Sequence, residues 1–281
     1  MEVLTDEMIA QATTGKRCTF TNCTLRGSET RTPHPEVKDL GFVDSIIDDL
    51  SFIPTLFPRI TILRLINCKL DEEDLQSLLL CPIVVLNLTG CGLTRFPLKL
   101  ITPKLCAIVL TNNEITELPK IGKAGQNINT IVLSRNPLAH IEEQFNDLTK
   151  LRKLNLTECS LSALPAINTI AIREVRLCNN AITTIPSTWT CLPRLRQLEL
   201  GHNQLSFIRD LIGLTKATRL QQLGLAGNPC MKSHDVLNYL KQILTPINPN
   251  LRVNQTLLRE LTVQRGTDQL DEEKERGEED E

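Results

Sequence analysis

The stretch "LRKLNLTECSL", residues 151–161, has apolar side chains at its first, fourth, sixth and eleventh positions and a cysteine at its ninth. Successive side chains of a β-strand point to opposite faces, so Leu154 and Leu156 lie on the same side of the chain. The pattern therefore predicts a short strand with one inward apolar side. A single unit of this length cannot bury that side alone, so it needs neighbours of the same kind.

The same pattern occurs ten times along the chain. Its units begin at residues 15, 37, 60, 83, 105, 128, 151, 172, 195 and 220, so the intervals are 21 to 25 residues. The first two matches are weaker, and the first lacks the initial apolar residue. Chance does not maintain this spacing over ten units, and we predict a solenoid whose stacked units share one core. Burial of several Leu and Ile side chains per unit, at about 1.5–3 kcal/mol each, is its main stabilising contribution.

These units resemble the leucine-rich repeat family over roughly residues 15–250. The resemblance implies an α/β solenoid, a curved horseshoe of about ten repeats with a parallel sheet on its concave face. We expect an N-terminal cap helix at 1–14, repeats at 15–230, a C-terminal cap at 231–266 and a disordered acidic tail at 267–281.

Both caps have sequence support. Residues 4–12 place Leu4, Met8, Ile9 and Ala12 on one face of a predicted helix. Ser233 is placed to cap a helix over 234–244, followed by a strand at 251–253. The segment "GNPCMKSHDVLNYLKQILTPINPNLRV" resembles the C-terminal cap of intracellular leucine-rich repeat proteins. Examples are the leucine-rich regulatory subunit of type-one protein phosphatase, the acidic leucine-rich nuclear phosphoproteins and the spliceosomal A-prime protein.

The ninth position of each unit holds a small polar residue or a cysteine. In order, these residues are Cys23, Ser45, Cys68, Cys91, Asn113, Asn136, Cys159, Asn180, Asn203 and Asn228. The family resemblance implies that this inward side chain hydrogen-bonds the turn backbone of adjacent units. We interpret these cysteines, with Cys18 and Cys230, as structural fillers. The remaining four are expected to be more exposed: Cys81, Cys106, Cys178 and Cys191.

Composition and motifs exclude several classes of protein. The N-terminus lacks the basic and apolar regions of a signal peptide, and no run of 18 apolar residues indicates a membrane span. We expect a cytoplasmic or nuclear protein with reduced cysteines. The chain has no GxSxG, HExxH, P-loop or CxxC motif, so no enzyme activity, cofactor or metal site is expected. Residues 268–281 carry nine acidic and two basic side chains. Such a tail solubilises the chain, docks onto a basic partner or shields the protein's own surface.

The strand positions that do not face the core should line the concave surface. Six of them are apolar: Val43, Ile62, Ile66, Val85, Val109 and Val132. A charged strip lies beside them: Lys153, Glu174, Arg176 and Glu199. Together with Arg64, these residues are the predicted partner-binding site, because contiguous exposed apolar surface marks interaction sites. The alternative is that β-branched residues simply suit strands.

We therefore predict a non-catalytic scaffold or adaptor that binds a protein partner through its concave face. Two alternatives follow from the resemblances, namely a regulatory subunit of a protein phosphatase and an RNA-associated assembly factor. Nucleic acid is not expected as a partner, because no aromatic platform for base stacking is visible in the sequence. A small-molecule substrate is not expected either.

Overall fold

The computed structural model describes residues 2–30, 32–138, 140–167, 169–185, 189, 192–207, 209–211, 214 and 218–262. The predicted acidic tail lies outside these residues. The strands in chain order are β1 (Glu2–Leu4), β2 (Thr13–Thr14), β3 (Arg17–Thr21), β4 (Thr24–Ser28), β5 (Asp39–Val43), β6 (Ile46–Ile47), β7 (Ile62–Ile66), β8 (Val85–Asn87), β9 (Ala107–Val109), β10 (Thr130–Val132), β11 (Lys153–Asn155), β12 (Glu174–Arg176), β13 (Gln197–Glu199), β14 (Gln222–Gly224), β15 (Arg252–Val253) and β16 (Thr256–Leu257). The helices are α1 (Asp6–Ala12), α2 (Phe52–Leu56) and α3 (His234–Leu244).

The ten predicted units form ten parallel strands of one long sheet, confirming the predicted fold. These strands are β3, β5 and β7 to β14, each paired with the next in the order of the sequence. Their inward leucines stay in register, so that Leu154 pairs with Val175 and Val175 with Leu198. All three are buried. The shared apolar side is thus one continuous core.

A second, smaller sheet closes the N-terminal end on the opposite side of the core. In it β1 pairs with β4 and β4 with β6, all in parallel. The prediction that Leu4 belongs to the N-terminal helix is wrong. Leu4 is a buried residue of β1, because Thr5 ends the strand and caps α1 by accepting the Met8 N–H at 3.3 Å. Ile9 of α1 is buried as predicted.

The C-terminal cap agrees with the sequence in detail. The Ser233 hydroxyl accepts the Val236 N–H at 3.4 Å and starts α3. The apolar face of α3 lies against the end of the core with Val236, Leu240 and Leu244 buried. Strand β15 lies within the strand predicted at 251–253, and it extends the long sheet beside β14.

The eighth position of every unit adopts a left-handed backbone conformation. Its φ lies between +51° and +72° in all ten units: Asn22, Asp44, Asn67, Gly90, Asn112, Arg135, Glu158, Asn179, His202 and Gly227. Asparagine and glycine tolerate this conformation best. The turn that follows each strand is therefore the same throughout the solenoid, and it aims the ninth side chain into the core.

The side chain at the ninth position bonds the backbone, as predicted. The amide nitrogen of Asn113 donates to the carbonyls of Leu88 and Leu110 at 2.8 and 2.9 Å. Its oxygen accepts the N–H groups of Cys91 and Leu93 at 3.1 and 3.0 Å.

Cysteines in the same position form a simpler pattern. The Cys68, Cys91 and Cys159 thiols donate to carbonyls of the preceding unit at 3.2–3.3 Å. Cys81 was predicted to be exposed, which is wrong. It is 8% exposed because the 3₁₀ segment Asp74–Leu80 ends against the core just before it.

Candidate functional site

The predicted site residues all belong to strands β5 to β13 and alternate with the buried ones. In strands β7 to β10, half-buried residues alternate with buried ones along the chain. We call the outward side of the long sheet the concave face. The six apolar residues were predicted to be exposed, but in the structure all six are half-buried. Neighbouring strands are about 4.8 Å apart, so each side chain shields the next one.

Register brings the six apolar side chains into pairs. Val43 lies beside Ile66, Ile62 beside Val85, and Val109 beside Val132. Val85 and Val109 are diagonal neighbours, because the partner of Val85 is Ala107. Ile62, Val85, Val109 and Val132 thus form one diagonal series across four strands, which we call the apolar band.

A cluster of charges borders the apolar band on its N-terminal side. Arg17 donates from Nε to Asp39 at 2.9 Å, and Arg64 binds the other oxygen of the same carboxylate. The Asp39 side chain is 12% exposed and that of Arg17 is 61% exposed. One carboxylate therefore holds two arginines in place, and the cluster carries a net positive charge.

A second cluster borders the band on its C-terminal side. Lys153 and Arg176 both contact Glu174, at 3.1 and 2.8 Å. The structure thus brings together three members of the predicted charged strip around one carboxylate. The fourth, Glu199, is the register partner of Arg176 on the next strand, and its carboxylate accepts a hydrogen bond from Gln197 at 3.1 Å.

The polar side chains between the clusters are engaged with one another. Asn87 accepts the Thr89 N–H at 3.0 Å and the Thr89 hydroxyl at 2.6 Å. The Thr111 and Ser134 hydroxyls lie 3.1 Å apart. Because these polar groups already hydrogen-bond one another, a partner does not have to supply their hydrogen bonds. Removing the apolar band from water, in contrast, is energetically favourable.

Sequence reasoning missed a hollow at the C-terminal end of the concave face. Small residues at or just after the ends of two adjacent strands, Gly201, Gly224 and Ala226, leave a space of about 720 Å³. The Glu199 carboxylate lies over Gly224, where a Cβ would approach it to 1.8 Å. Arg252 of β15 also lines the hollow. A run of small residues at outward positions of the last two units is the signal that predicts such a space.

Four buried thiols have raised pKa values. Burial raises the pKa of the Cys91 thiol to about 12 and those of Cys81, Cys159 and Cys230 to about 11. A thiol with a raised pKa is a poor nucleophile at neutral pH. Within the described ranges, no three His, Cys, Asp or Glu side chains form a group that would hold a metal ion.

Comparisons with known proteins agree with this architecture. The leucine-rich repeat family model matches residues 170–229. Human leucine-rich repeats and immunoglobulin-like domains protein 1 is 29% identical over 138 residues, which are 39% of this chain and 13% of the relative. Mouse podocan-like protein 1 is 33% identical over 105 residues, or 37% of this chain and 15% of the relative. The chain thus covers less than a sixth of the length of these two curated relatives.

A solved structure supports the fold over most of the chain. It is the octameric complex of Latrophilin 3, Unc5D and FLRT2, in which one chain matches 88% of this chain with a TM-score of 0.63 and 19% identity. The match covers 81% of that chain. This chain folds as a leucine-rich repeat solenoid. None of the helices in the described residues has the length and apolar character needed to cross a membrane.

Proposed function

We propose that the solenoid is a non-catalytic protein-binding module whose partner covers the apolar band. The observation that carries this proposal is the band itself, four half-buried aliphatic side chains in a diagonal series across four strands, between two clusters of charge. Covering half-buried apolar surface gives a favourable free energy of about 25 cal/mol per Å².

The charge clusters give the proposed partner an orientation. Each cluster has two cations around one carboxylate and so a net positive charge. Charges at the rim of an interface act mainly on the association rate and on specificity. A partner with an apolar centre and acidic residues at both ends fits this face.

The test is capture of partners from native lysate by the solenoid carrying Val85→Asp and Val109→Asp. We expect loss of the captured protein, because two carboxylates would have to be buried beneath it. The matched control is Leu80→Asp with Leu98→Asp, which makes the same change at two exposed leucines outside the concave face. Retained binding by the first variant, with a normal circular dichroism spectrum, would contradict the proposal.

The identity of the captured protein separates the alternatives. A phosphatase catalytic subunit supports the regulatory-subunit prediction, and a complex that is lost after nuclease treatment supports RNA-associated assembly. We also propose a cytoplasmic or nuclear location. The nine cysteines in the described part of the chain are all free thiols, as is usual in reducing compartments.

A further inference from the structure

Charge is distributed unevenly along the solenoid. Residues 1–149 carry 14 basic and 18 acidic side chains, a net charge of −4. Residues 150–267 carry 15 basic and six acidic side chains, a net charge of +9. The excess of positive charge therefore belongs to the later repeats and the segment that follows them.

Much of this excess lies along one edge of the long sheet. In the segment "KLRK" at 150–153, Lys150 and Arg152 flank a buried leucine just before strand β11. The unit at 195 has both cations, and the units at 172 and 220 have one each. We call the resulting series the basic edge. Its members are Lys150, Arg152, Arg173, Arg194, Arg196 and Arg219, all exposed.

Backbone hydrogen bonds stack three of these arginines directly. The Arg173 N–H donates to the Arg152 carbonyl at 2.8 Å, and the Arg196 N–H donates to the Arg173 carbonyl at 2.8 Å. Their Cα atoms therefore follow the strand spacing of about 4.8 Å. Like charges on neighbouring strands destabilise a sheet, so this series is an electrostatic cost to the fold.

The protein itself does little to offset that cost. In the part of the chain that the structure describes, no member of the basic edge has a carboxylate oxygen within 4.0 Å. Glu174 is nearby but is held by Lys153 and Arg176. Lys150 donates to the neutral Asn127 side chain at 2.6 Å.

We propose that the basic edge binds a carboxylate-rich segment of a partner protein. Five of its six members are arginines, whose planar guanidinium groups pair with carboxylates through two parallel hydrogen bonds. A hollow of about 390 Å³ at its C-terminal end, lined by Arg196, Arg219 and Leu220, gives the segment a recess. The edge has no aromatic side chain on which bases would stack, which favours an acidic polypeptide over nucleic acid.

This site is separate from the apolar band. The band spans β7 to β10, whereas the basic edge precedes β11 to β14. One partner with an acidic extension, or two different partners, would satisfy both sites. Loss of binding at the basic edge would therefore leave the proposal for the apolar band unaffected, and the reverse also holds.

The test uses the full chain and a fluorescent peptide of 12 alternating Glu and Asp residues, with fluorescence anisotropy as the readout. We expect saturable binding that weakens as NaCl rises from about 0.05 M to about 0.3 M, because salt screens exposed charges. The triple variant Arg152→Gln, Arg173→Gln, Arg196→Gln should lose roughly tenfold in affinity. It should unfold at a temperature no lower than that of the natural protein, since like-charge repulsion is removed.

The matched control removes the same net charge elsewhere, with Arg59→Gln, Arg95→Gln and Lys120→Gln, all exposed in the first half of the chain. It should change affinity less than about twofold. An equal loss in the control would show that net charge alone attracts the peptide and would overturn the proposal. Tighter binding of a 12-nucleotide single-stranded RNA than of the peptide would overturn it in favour of nucleic acid.

The chain's own acidic segment, residues 268–281, is a competing occupant. Replacing its nine carboxylates with the corresponding amides in the full chain separates the two cases. Affinity for the peptide within about twofold of the natural protein supports a partner segment. A gain of about tenfold or more would assign the edge to the tail, because a tethered ligand competes at an effective concentration in the millimolar range.

Discussion

The first and second halves of the solenoid follow the same backbone path with different side chains at the ninth position. The first four units have Cys23, Ser45, Cys68 and Cys91 there, whereas five of the last six have asparagine. An asparagine both donates and accepts hydrogen bonds, and a thiol is a weak donor and a weak acceptor. The two halves therefore satisfy the same backbone groups by different means.

The second sheet explains how the first half manages without asparagine. In the second half, the N–H of the eleventh residue donates to the asparagine oxygen of the next unit, as Leu161 does to Asn180 at 3.0 Å. In the first half, the equivalent Ile47 N–H donates to the backbone carbonyl of Lys69 at 3.0 Å. The turns therefore need a hydrogen-bond acceptor at this point, and either a side chain or a neighbouring strand supplies it.

The largest expected effect separates the two kinds of residue directly. Asn113→Ala removes hydrogen bonds to the Leu88 and Leu110 carbonyls and from the Cys91 and Leu93 N–H groups. We expect a loss of about 3 kcal/mol or more in the free energy of unfolding, because buried polar groups lose their partners. Cys91→Ala should cost about 1 kcal/mol. Urea unfolding followed by circular dichroism measures both, and equal losses would show that cysteine and asparagine at the ninth position are interchangeable fillers.

A second difference appears at alkaline pH, because cysteine titrates and asparagine does not. Burial raises the pKa of Cys91 from 9.0 to about 12, so above pH 9 the unfolded chain loses this proton while the folded chain keeps it. Stability should therefore fall as the pH rises from about 9 towards 12.

At pH 10 we expect a loss of about 1 kcal/mol for each strongly shifted thiol, relative to pH 8. Cys91→Ala should make the loss of stability between pH 8 and pH 10 smaller by the contribution of one thiol. Asn113→Ala should leave that loss unchanged. Urea unfolding at both pH values gives the comparison. A loss that is the same in the natural protein and in Cys91→Ala would mean that this thiol does not contribute.

The smallest effect concerns replacement of cysteine by asparagine at the ninth position. Cys159 interrupts the asparagine half, and the Leu138 N–H that faces it turns to the Asn136 carbonyl at 2.8 Å instead. Cys159→Asn supplies the missing acceptor, whereas at Cys68 the Ile47 N–H already has one. We expect Cys159→Asn to be more favourable than Cys68→Asn by about 1 kcal/mol in urea unfolding. The reverse order would show that the second sheet does not explain why cysteine occupies the ninth position in the first half.

Much of the fold was readable from the sequence because the repeat template tests only alternation and spacing. It located all ten strands, and Ser233 marked the start of α3. The left-handed eighth position was missed, although asparagine, aspartate or glycine occupies it in seven of ten units. At Arg135, Glu158 and His202 nothing local predicts it, and the stacking of neighbouring turns imposes it.

The candidate site was less predictable. Sequence assigned the correct side of the sheet to each residue, since alternation decides that. It did not reveal that Glu174 forms ion pairs with both Lys153 and Arg176, or that adjacent valines would half-bury one another. Both depend on which side chains neighbour one another across strands. The second sheet was missed for the same reason, because β4 and β6 gain their partners only when the units stack.

That second sheet has a mechanical consequence. Where β1, β4 and β6 run beneath β3, β5 and β7, both sides of the solenoid have the same spacing of about 4.8 Å, and hydrogen bonds resist stretching on each. We expect such a segment to resist bending. Beyond Lys69 the outer side consists of turns and short 3₁₀ segments, which have no continuous ladder to fix their separation in the described residues. We therefore expect an applied force to bend the later repeats more than the first ones. The later repeats would change shape on binding a protein, while the first repeats would keep theirs.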